Sequence, residues 1–190
     1  MSLTLPAPRV LGDAIPGGLA RDAALVVGGS VLTGLAAQAS IPLPFTPVPL
    51  TLQTFAVLLV GASLGTVRGV LSMCLYLAAG VAGVPWFSAG TSGAGGASFG
   101  YVLGFVLAAA LAGRLAERGA TRGPVRTAGV MVLGNLAIYA VGVPWLMGVA
   151  HVGFVKALSL GVIPFLLGDL VKVAVASGLF PSAWRLAGHR

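Results

Sequence analysis

Apolar residues run almost unbroken along this chain, and the few interruptions divide it into helices. No Asp, Glu, Lys or Arg occurs from Ala23 to Val67, nor again from Gly69 to Gly113. A membrane crossing takes about 20 residues, so each of these runs is long enough for two crossings and a connection. The pattern predicts a first helix from Ala23 to about Ile41. It ends at Pro42, Pro44, Pro47 and Pro49, which lack amide donors and push each preceding residue away from helical geometry. A second helix is expected from about Thr51 to Leu64, a tight turn at Gly65, Thr66, Arg68 and Gly69, and a third helix from Val70 to about Ala82. Pro85 to Gly100 reads PWFSAGTSGAGGASFG, too irregular for a helix in lipid. Such backbone is tolerated at membrane depth only where protein or a water-filled cavity surrounds it. Further helices are predicted from Tyr101 to about Ala116, from Thr127 to about Val143 and from Leu160 to Phe180, the last with Pro164 in its first part. Between the last two, Pro144 to Ser159 is mixed and has room for a short interfacial helix. The fold class that follows is an all-α integral membrane protein with six transmembrane helices: a lead-in at 1–22, a membrane domain at 23–180 and a tail at 181–190.

Composition supports that division. The chain is 57% apolar, has a mean hydropathy of +1.02 and is only 8% charged, whereas soluble domains carry about a quarter charged residues. A net charge of +7 raises nucleic acid as a partner. The basic residues stand singly between apolar segments without interleaved aromatics, and that partner is set aside. They also choose a side: Arg9, Arg21, Arg68, Arg114, Arg118, Arg122, Arg126, Arg185 and Arg190 fall at the termini or at the second and fourth connections, and only Lys156 falls at the others. By the positive-inside rule both termini face the cytoplasm, and the Pro-rich, Gly-rich and fifth connections lie at the outer face. A cleavable signal peptide is considered at Ala37-Gln38-Ala39 and set aside, because the leading region is long and acid-containing and the sequence stays apolar after Ser40. Cys74 is the only cysteine, so neither an internal disulfide nor a CxxC metal site can form, and it is expected to be a small core residue.

Chemistry concentrates at Gly168-Asp169-Leu170-Val171-Lys172. A charge within a span costs about 3 kcal/mol on insertion scales, so it needs a partner, a cavity or a substrate. The spacing of three puts Asp169 and Lys172 on one helix face. They form either a self-neutralising pair that locks the bundle or a polar anchor for a ligand with hydrogen-bond donors and an anionic group. The Gly-rich segment lets backbone approach a ligand closely, with Trp86, Phe87, Thr91 and Ser92 as walls and donors, or it is a flexible linker. Thr51, Gln53, Asn135 and Tyr139 are polar groups in spans, each able to bond a ligand or a neighbouring helix. His151 and Lys156 are assigned to the headgroup region. Small-xxx-small spacings at Ala24 to Gly28 and Ser30 to Gly34 permit close approach of a helix from this chain or from another subunit. No nucleophile is paired with a base and no metal ligands cluster, so neither an intramembrane enzyme nor a metal site is expected.

Four stretches carry a resemblance: IPLPFTPVPLTLQTFAVLLVGASLG (Ile41 to Gly65), RGVLSMCLYLAAGVAGVPWF (Arg68 to Phe87), FGYVLGFVLAAALAGRLAERG (Phe99 to Gly119) and GVIPFLLGDLVKVAVA (Gly161 to Ala176). Together they resemble the BioY family, the biotin-binding S components of energy-coupling factor transporters. The resemblance implies the six-helix S-component fold, biotin as transported substrate with no cofactor, and a bacterial-type cytoplasmic membrane. It also implies as partners a coupling transmembrane subunit of the EcfT type and two ATPase subunits of the EcfA type, besides membrane lipid. It places Asp169 and Lys172 in the biotin site, with Thr91, Ser92 and Tyr101 where the third connection and following helix contribute. The family's third connection commonly ends in a Gly-Pro-Thr-Gly-Gly-Tyr-like stretch. This chain has Gly96-Ala97-Ser98-Phe99-Gly100-Tyr101, which either lacks the threonine donor or replaces it with Ser98. The small residues of the first helix are similar to the alanine pattern by which S components dock on the coupling subunit. A gradient-driven secondary transporter or facilitator of biotin, needing no ATPase and using Asp169 as an ion or proton site, is the alternative mechanism.

Overall fold

The computed structural model describes residues 9–187. Residues 1–8 of the expected lead-in and 188–190 of the expected tail, with His189 and Arg190, lie outside the described residues. Six α-helices follow one another: α1 Leu19–Gln38, α2 Gln53–Val81, α3 Phe99–Glu117, α4 Pro124–Ala150, α5 Phe154–Gly161 and α6 Leu166–Ala187. Short 3-10 turns stand at Leu11–Ala14, Ser88–Gly90 and Ile163–Phe165. Five helical stretches are long and apolar enough to cross a membrane: α1, α2, α3, α4, and Phe154–Ala187, which joins α5 to α6.

The second and third expected helices form one element, α2, but not one straight rod. Gly65 takes φ 83° and ψ 179°, a conformation that a residue with a Cβ adopts only with strain. Its two arms run back along each other. Gln53 Nε2 donates to Tyr76 Oη at 2.6 Å, and a Cβ on Gly69 would lie 2.9 Å from the Cα of Gly61. In a straight helix Gln53 and Tyr76 would be about 35 Å apart. Glu117 Oε1 accepts the Thr66 amide at 2.7 Å, covering the start of the second arm from the end of α3.

Elsewhere the boundaries moved. α1 begins at Leu19, inside the expected lead-in, and α6 continues through Pro181 to Ala187, inside the expected tail. α4 runs through Pro144 to Ala150, because a membrane helix tolerates one missing amide when its neighbours satisfy the freed groups. The expected sixth helix is divided instead: α5 stops at Gly161, Pro164 lies in a 3-10 turn, and α6 starts at Leu166. The Pro-rich connection is closed at its base by a two-residue antiparallel ladder, β1 Ser40–Ile41 with β2 Leu50–Thr51, pairing Ser40 with Thr51 and Ile41 with Leu50. This ladder is the one departure from an all-helical fold among the described residues.

The core between the helices holds Val57, Leu58, Met73, Tyr76, Phe105, Met131, Ile138 and Leu146, all fully or almost fully buried. The outward faces carry exposed Leu107, Leu133, Leu136, Leu170 and Val175, as a lipid-facing bundle requires. Cys74 is among the exposed residues of α2, not in the core. Its apolar neighbours in sequence point to lipid as readily as to the interior, so hydropathy alone could not separate the two.

The bundle has two unlike ends. At one, Arg68 bridges Asp13 (2.9 Å) and Asp22 (3.0 Å), and Arg21 pairs with Asp22 (2.8 Å). Burial pushes the Asp13 carboxyl up, but Arg68 and the amides of Val10 and Arg9 outweigh it and hold the group below the usual carboxylate range. At the other end the Pro-rich and Gly-rich connections and the α5–α6 junction come together.

Candidate binding site

A cavity opens at that second end, lined by the end of the Pro-rich connection (Val48, Pro49, Leu50, Thr51), the start of α2 (Gln53, Thr54), the start of α3 (Ser98, Tyr101, Val102, Phe105), Tyr139 of α4, Phe165, and Asp169 and Lys172 of α6. The space between these residues, counting the open mouth, is about 470 Å³. Apolar and aromatic side chains make up most of the wall, and Thr54, Tyr139, Asp169 and Lys172 form one hydrogen-bonded group within it.

Local sequence explains each position. Pro164 forces the chain to restart at Leu166, which brings Asp169 into the first turn of α6. Thr46 of the Pro-rich connection donates its hydroxyl to Leu160 O at 2.7 Å, and Tyr101 donates to Gly161 O at 2.9 Å. The connection, α3 and the α5–α6 junction are thereby tied around the cavity. Tyr101 reaches that far because Gly142 leaves room: a Cβ there would lie 2.5 Å from Tyr101 Cδ1.

Asp169 and Lys172 are 7% and 9% exposed, and Lys172 Nζ stands 3.4 Å from Asp169 Oδ1. That distance exceeds the 2.7–2.9 Å or so of a strong charge-assisted bond. The better partners come from other helices. Lys172 Nζ donates to Thr54 Oγ1 at 2.8 Å, and Tyr139 Oη donates to Asp169 Oδ2. Tyr101 stands edge-on to Tyr139, with centroids 6.4 Å apart. Asp169 and Lys172 are thus held by α4 and α2 respectively and only loosely by each other. An ammonium has three donors, and Thr54 and Asp169 account for two. The arrangement offers a cation, an acceptor and hydroxyls at the wall of an apolar cleft, as a ligand with a carboxylate and amide-like groups requires.

Seven of the residues singled out in the sequence meet here: Asp169, Lys172, Tyr101, Tyr139, Thr51, Gln53 and Ser98. Five others do not line the cavity. Trp86 and Phe87 fasten the Gly-rich connection instead. Trp86 Nε1 donates to Tyr76 O, Tyr76 Oη donates to Trp86 O, and Phe87 packs edge-on against Tyr76. From there aromatic contacts continue through Phe99 to Trp145, whose Nε1 donates to Gly96 O. The connection is therefore anchored at both ends and is no loose linker. Thr91 donates to Ser88 O and lines a separate cleft between the Pro-rich and Gly-rich connections that shares Pro49 with the main cavity. Ser92 is exposed. Asn135 is buried in α4 one turn before Tyr139, outside the lining.

Thr54, Leu50 and Phe165 line the cavity without having been singled out. Thr54 has the only legible signal, a hydroxyl in an otherwise apolar run. On α1, Ser30 donates to Ser72 O at 2.7 Å, and Gly34 packs beneath Trp86. That small-residue pair serves packing within the chain. Ala24 and Gly28 are exposed and border an apolar groove with Leu11, Leu59, Leu64 and Leu179.

A family model described as the BioY family matches residues 7–189. The chain is 39% identical over 160 residues to a probable biotin transporter BioY of Pyrococcus horikoshii, covering 83% of this chain and 92% of that protein. It is 37% identical to a biotin transporter BioY of Thermotoga maritima, covering 80% and 90%. The fold is similar to a solved structure described as the S-component for biotin from an ECF-type ABC transporter, with TM-score 0.78 and 22% identity over 87% of this chain and 92% of that one.

Proposed function

This chain belongs to the BioY family, and from that membership and the cavity we propose that it captures biotin at the Asp169–Lys172 side of the cleft and carries it into the cell. The family is one of transporters and not of enzymes, and biotin is its cargo. The observation that carries the site is the pairing of two buried, oppositely charged side chains, each bonded to a different helix, at the wall of an apolar cavity. Lys172 is the counter-charge for the valerate carboxylate, with Thr54 orienting it. Asp169 accepts from the ureido N–H groups or steadies Lys172, and Tyr139 fixes its second oxygen. Gln53, Ser98 and Tyr101 complete the polar rim, and Phe105, Phe165 and Val102 pack against the thiophane ring.

Counting the two arms of α2 separately, the chain makes six crossings, with both termini and the arginine-bearing connections at the cytoplasmic face of a bacterial-type inner membrane. The cavity then opens outward. Delivery couples to a transmembrane subunit of the EcfT type and two ATPases of the EcfA type. Ala24 and Gly28 are the exposed docking positions on α1, and Ser30 and Gly34 set the packing behind them.

Calorimetric titration of the purified chain with biotin, against thiamine and riboflavin, tests the reading. Tight binding of biotin alone is expected, and a folded sample that ignores biotin overturns it. Uptake into vesicles with and without the ATPases then separates coupled delivery from the gradient-driven mechanism: transport that persists without them assigns the latter.

A further inference from the structure

Arg114, Arg118, Arg122 and Arg126 recur every fourth residue through the turn between α3 and α4, and Arg185 follows Trp184 in α6. All five are exposed. The one nearby carboxylate, Glu117, turns an oxygen to the Thr66 amide, and among the described residues no carboxylate pairs with Arg118, Arg126 or Arg185. The turn is nevertheless ordered. The Arg122 guanidinium lies over the Trp184 ring, 4.9 Å from its centroid, and Trp184 Nε1 donates to Thr121 Oγ1 at 3.0 Å. Arg122 and Arg126 flank a notch floored by Gly123, Pro124 and Val125.

Two large apolar side chains stand bare beside this charge, Val125 at 84% exposure and Leu186 at 75%. An acidic soluble partner would be served by the arginines alone. Arginines, exposed aliphatic side chains and an indole at one helix end together match the headgroup level of a bilayer, where indoles and arginines anchor. Guanidinium groups bind phosphate oxygens in a bidentate manner.

We propose that the Arg122–Arg126 notch binds the headgroup phosphate of an anionic phospholipid, with Val125 against the first methylenes of its acyl chain. The neighbouring Arg118 and Arg185 raise the local positive potential. The lipid braces the α3–α4 turn against α6, so its loss loosens the bundle end opposite the biotin cavity. The inference rests on the membrane reading and not on the identity of the cargo.

The test uses the full chain in a neutral detergent, titrated with phosphatidylglycerol, with phosphatidylcholine of the same acyl chains, and with inorganic phosphate. Native mass spectrometry counts bound lipid, and the melting temperature reports bracing. Phosphatidylglycerol is expected to be retained and to raise the melting temperature, and the other two are not. Two arginines near an anionic surface contribute about 30-fold in apparent affinity, so Arg122→Gln with Arg126→Gln loses about that factor. If the double variant lacks a cooperative melting transition, Arg126→Gln alone is used, with about a fivefold loss expected. Equal retention of phosphatidylcholine, an equal response to inorganic phosphate, or variants that hold phosphatidylglycerol like the unmodified chain each overturn the proposal.

Discussion

Both ends of this bundle pair a carboxylate with a cation, yet the two pairs have little in common. At the arginine end, Arg68 reaches Asp13 and Asp22 at 2.9 and 3.0 Å, with side chains still 18 to 37% exposed. At the cavity end, Lys172 and Asp169 stand 3.4 Å apart with side chains only 10% exposed. The shorter contacts carry less energy, because exposed pairs are screened and contribute about 0 to 1 kcal/mol. The longer one is costly to bury, and breaking such a pair by removing one partner costs about 3 to 5 kcal/mol. Distance therefore misleads here and burial decides. Asp169 and Lys172 are each bonded better to Tyr139 and Thr54 than to each other. A pair whose only task was to lock the bundle would be expected to close on itself.

The largest effect should come from removing a charge at the cavity end. Lys172→Ala and Asp169→Ala are each expected to weaken biotin binding by about 2 to 5 kcal/mol, as truncating one partner of a desolvated charged contact does. Calorimetry on samples with an intact melting transition measures it, and a variant that binds biotin normally removes that residue from the site. Next come the residues that position them. Thr54→Val and Tyr139→Phe each remove one hydroxyl from a buried charge and should cost about 1 to 3 kcal/mol of affinity. If Thr54→Val has no effect while Lys172→Ala does, Lys172 is oriented by the ligand and not by α2.

This hierarchy was only partly legible beforehand. Asp169 and Lys172 announced themselves because charge in a span is rare, and three polar positions of the expected spans, Thr51, Gln53 and Tyr139, joined them in the cavity, as did Tyr101, to which only the resemblance pointed. Thr54 passed unnoticed, since its hydroxyl in an apolar run looks like any helix-packing group until Lys172 is seen 2.8 Å away. Trp86 and Phe87 misled in the opposite direction. Aromatic residues in a Gly-rich connection suggest ligand walls, but hydropathy cannot tell a wall from an anchor, and their bonds to Tyr76 make them anchors. The reversal at Gly65 was legible as a turn from Gly65, Thr66 and Gly69. The split at Pro164 and the continuation through Pro144 were not, because a proline ends one helix and is absorbed by another according to neighbours that lie far away in sequence.

Backbone strain should separate the ends in a different way. Gly65→Ala places a Cβ at φ 83°, 2.9 Å from Glu117 Oε1, and should destabilise the bundle by about 1 to 3 kcal/mol. Biotin affinity of the remaining folded protein should be unchanged, because the hairpin turn lies at the arginine end. A melting curve with a parallel titration measures both, and an equal loss of affinity would show that the two ends are mechanically coupled.

The smallest effect belongs to the shortest ion pairs. Asp13→Asn should change stability by at most about 1 kcal/mol at neutral pH and low salt, and by less as salt is added. The dependence on pH has a definite sign. The Asp13 carboxyl is held below its ordinary range by Arg68 and two backbone amides despite its burial, so the folded state favours the ionised form. That contribution is complete above the ordinary carboxylate pKa of about 3.9 and disappears as pH falls through the lower folded value. Unmodified protein and Asp13→Asn should therefore differ in melting temperature at pH 6 and converge in acid. A difference that grows on acidification would mean that Asp13 is stabilised in its protonated form, and that Arg68 is held by Asp22 alone.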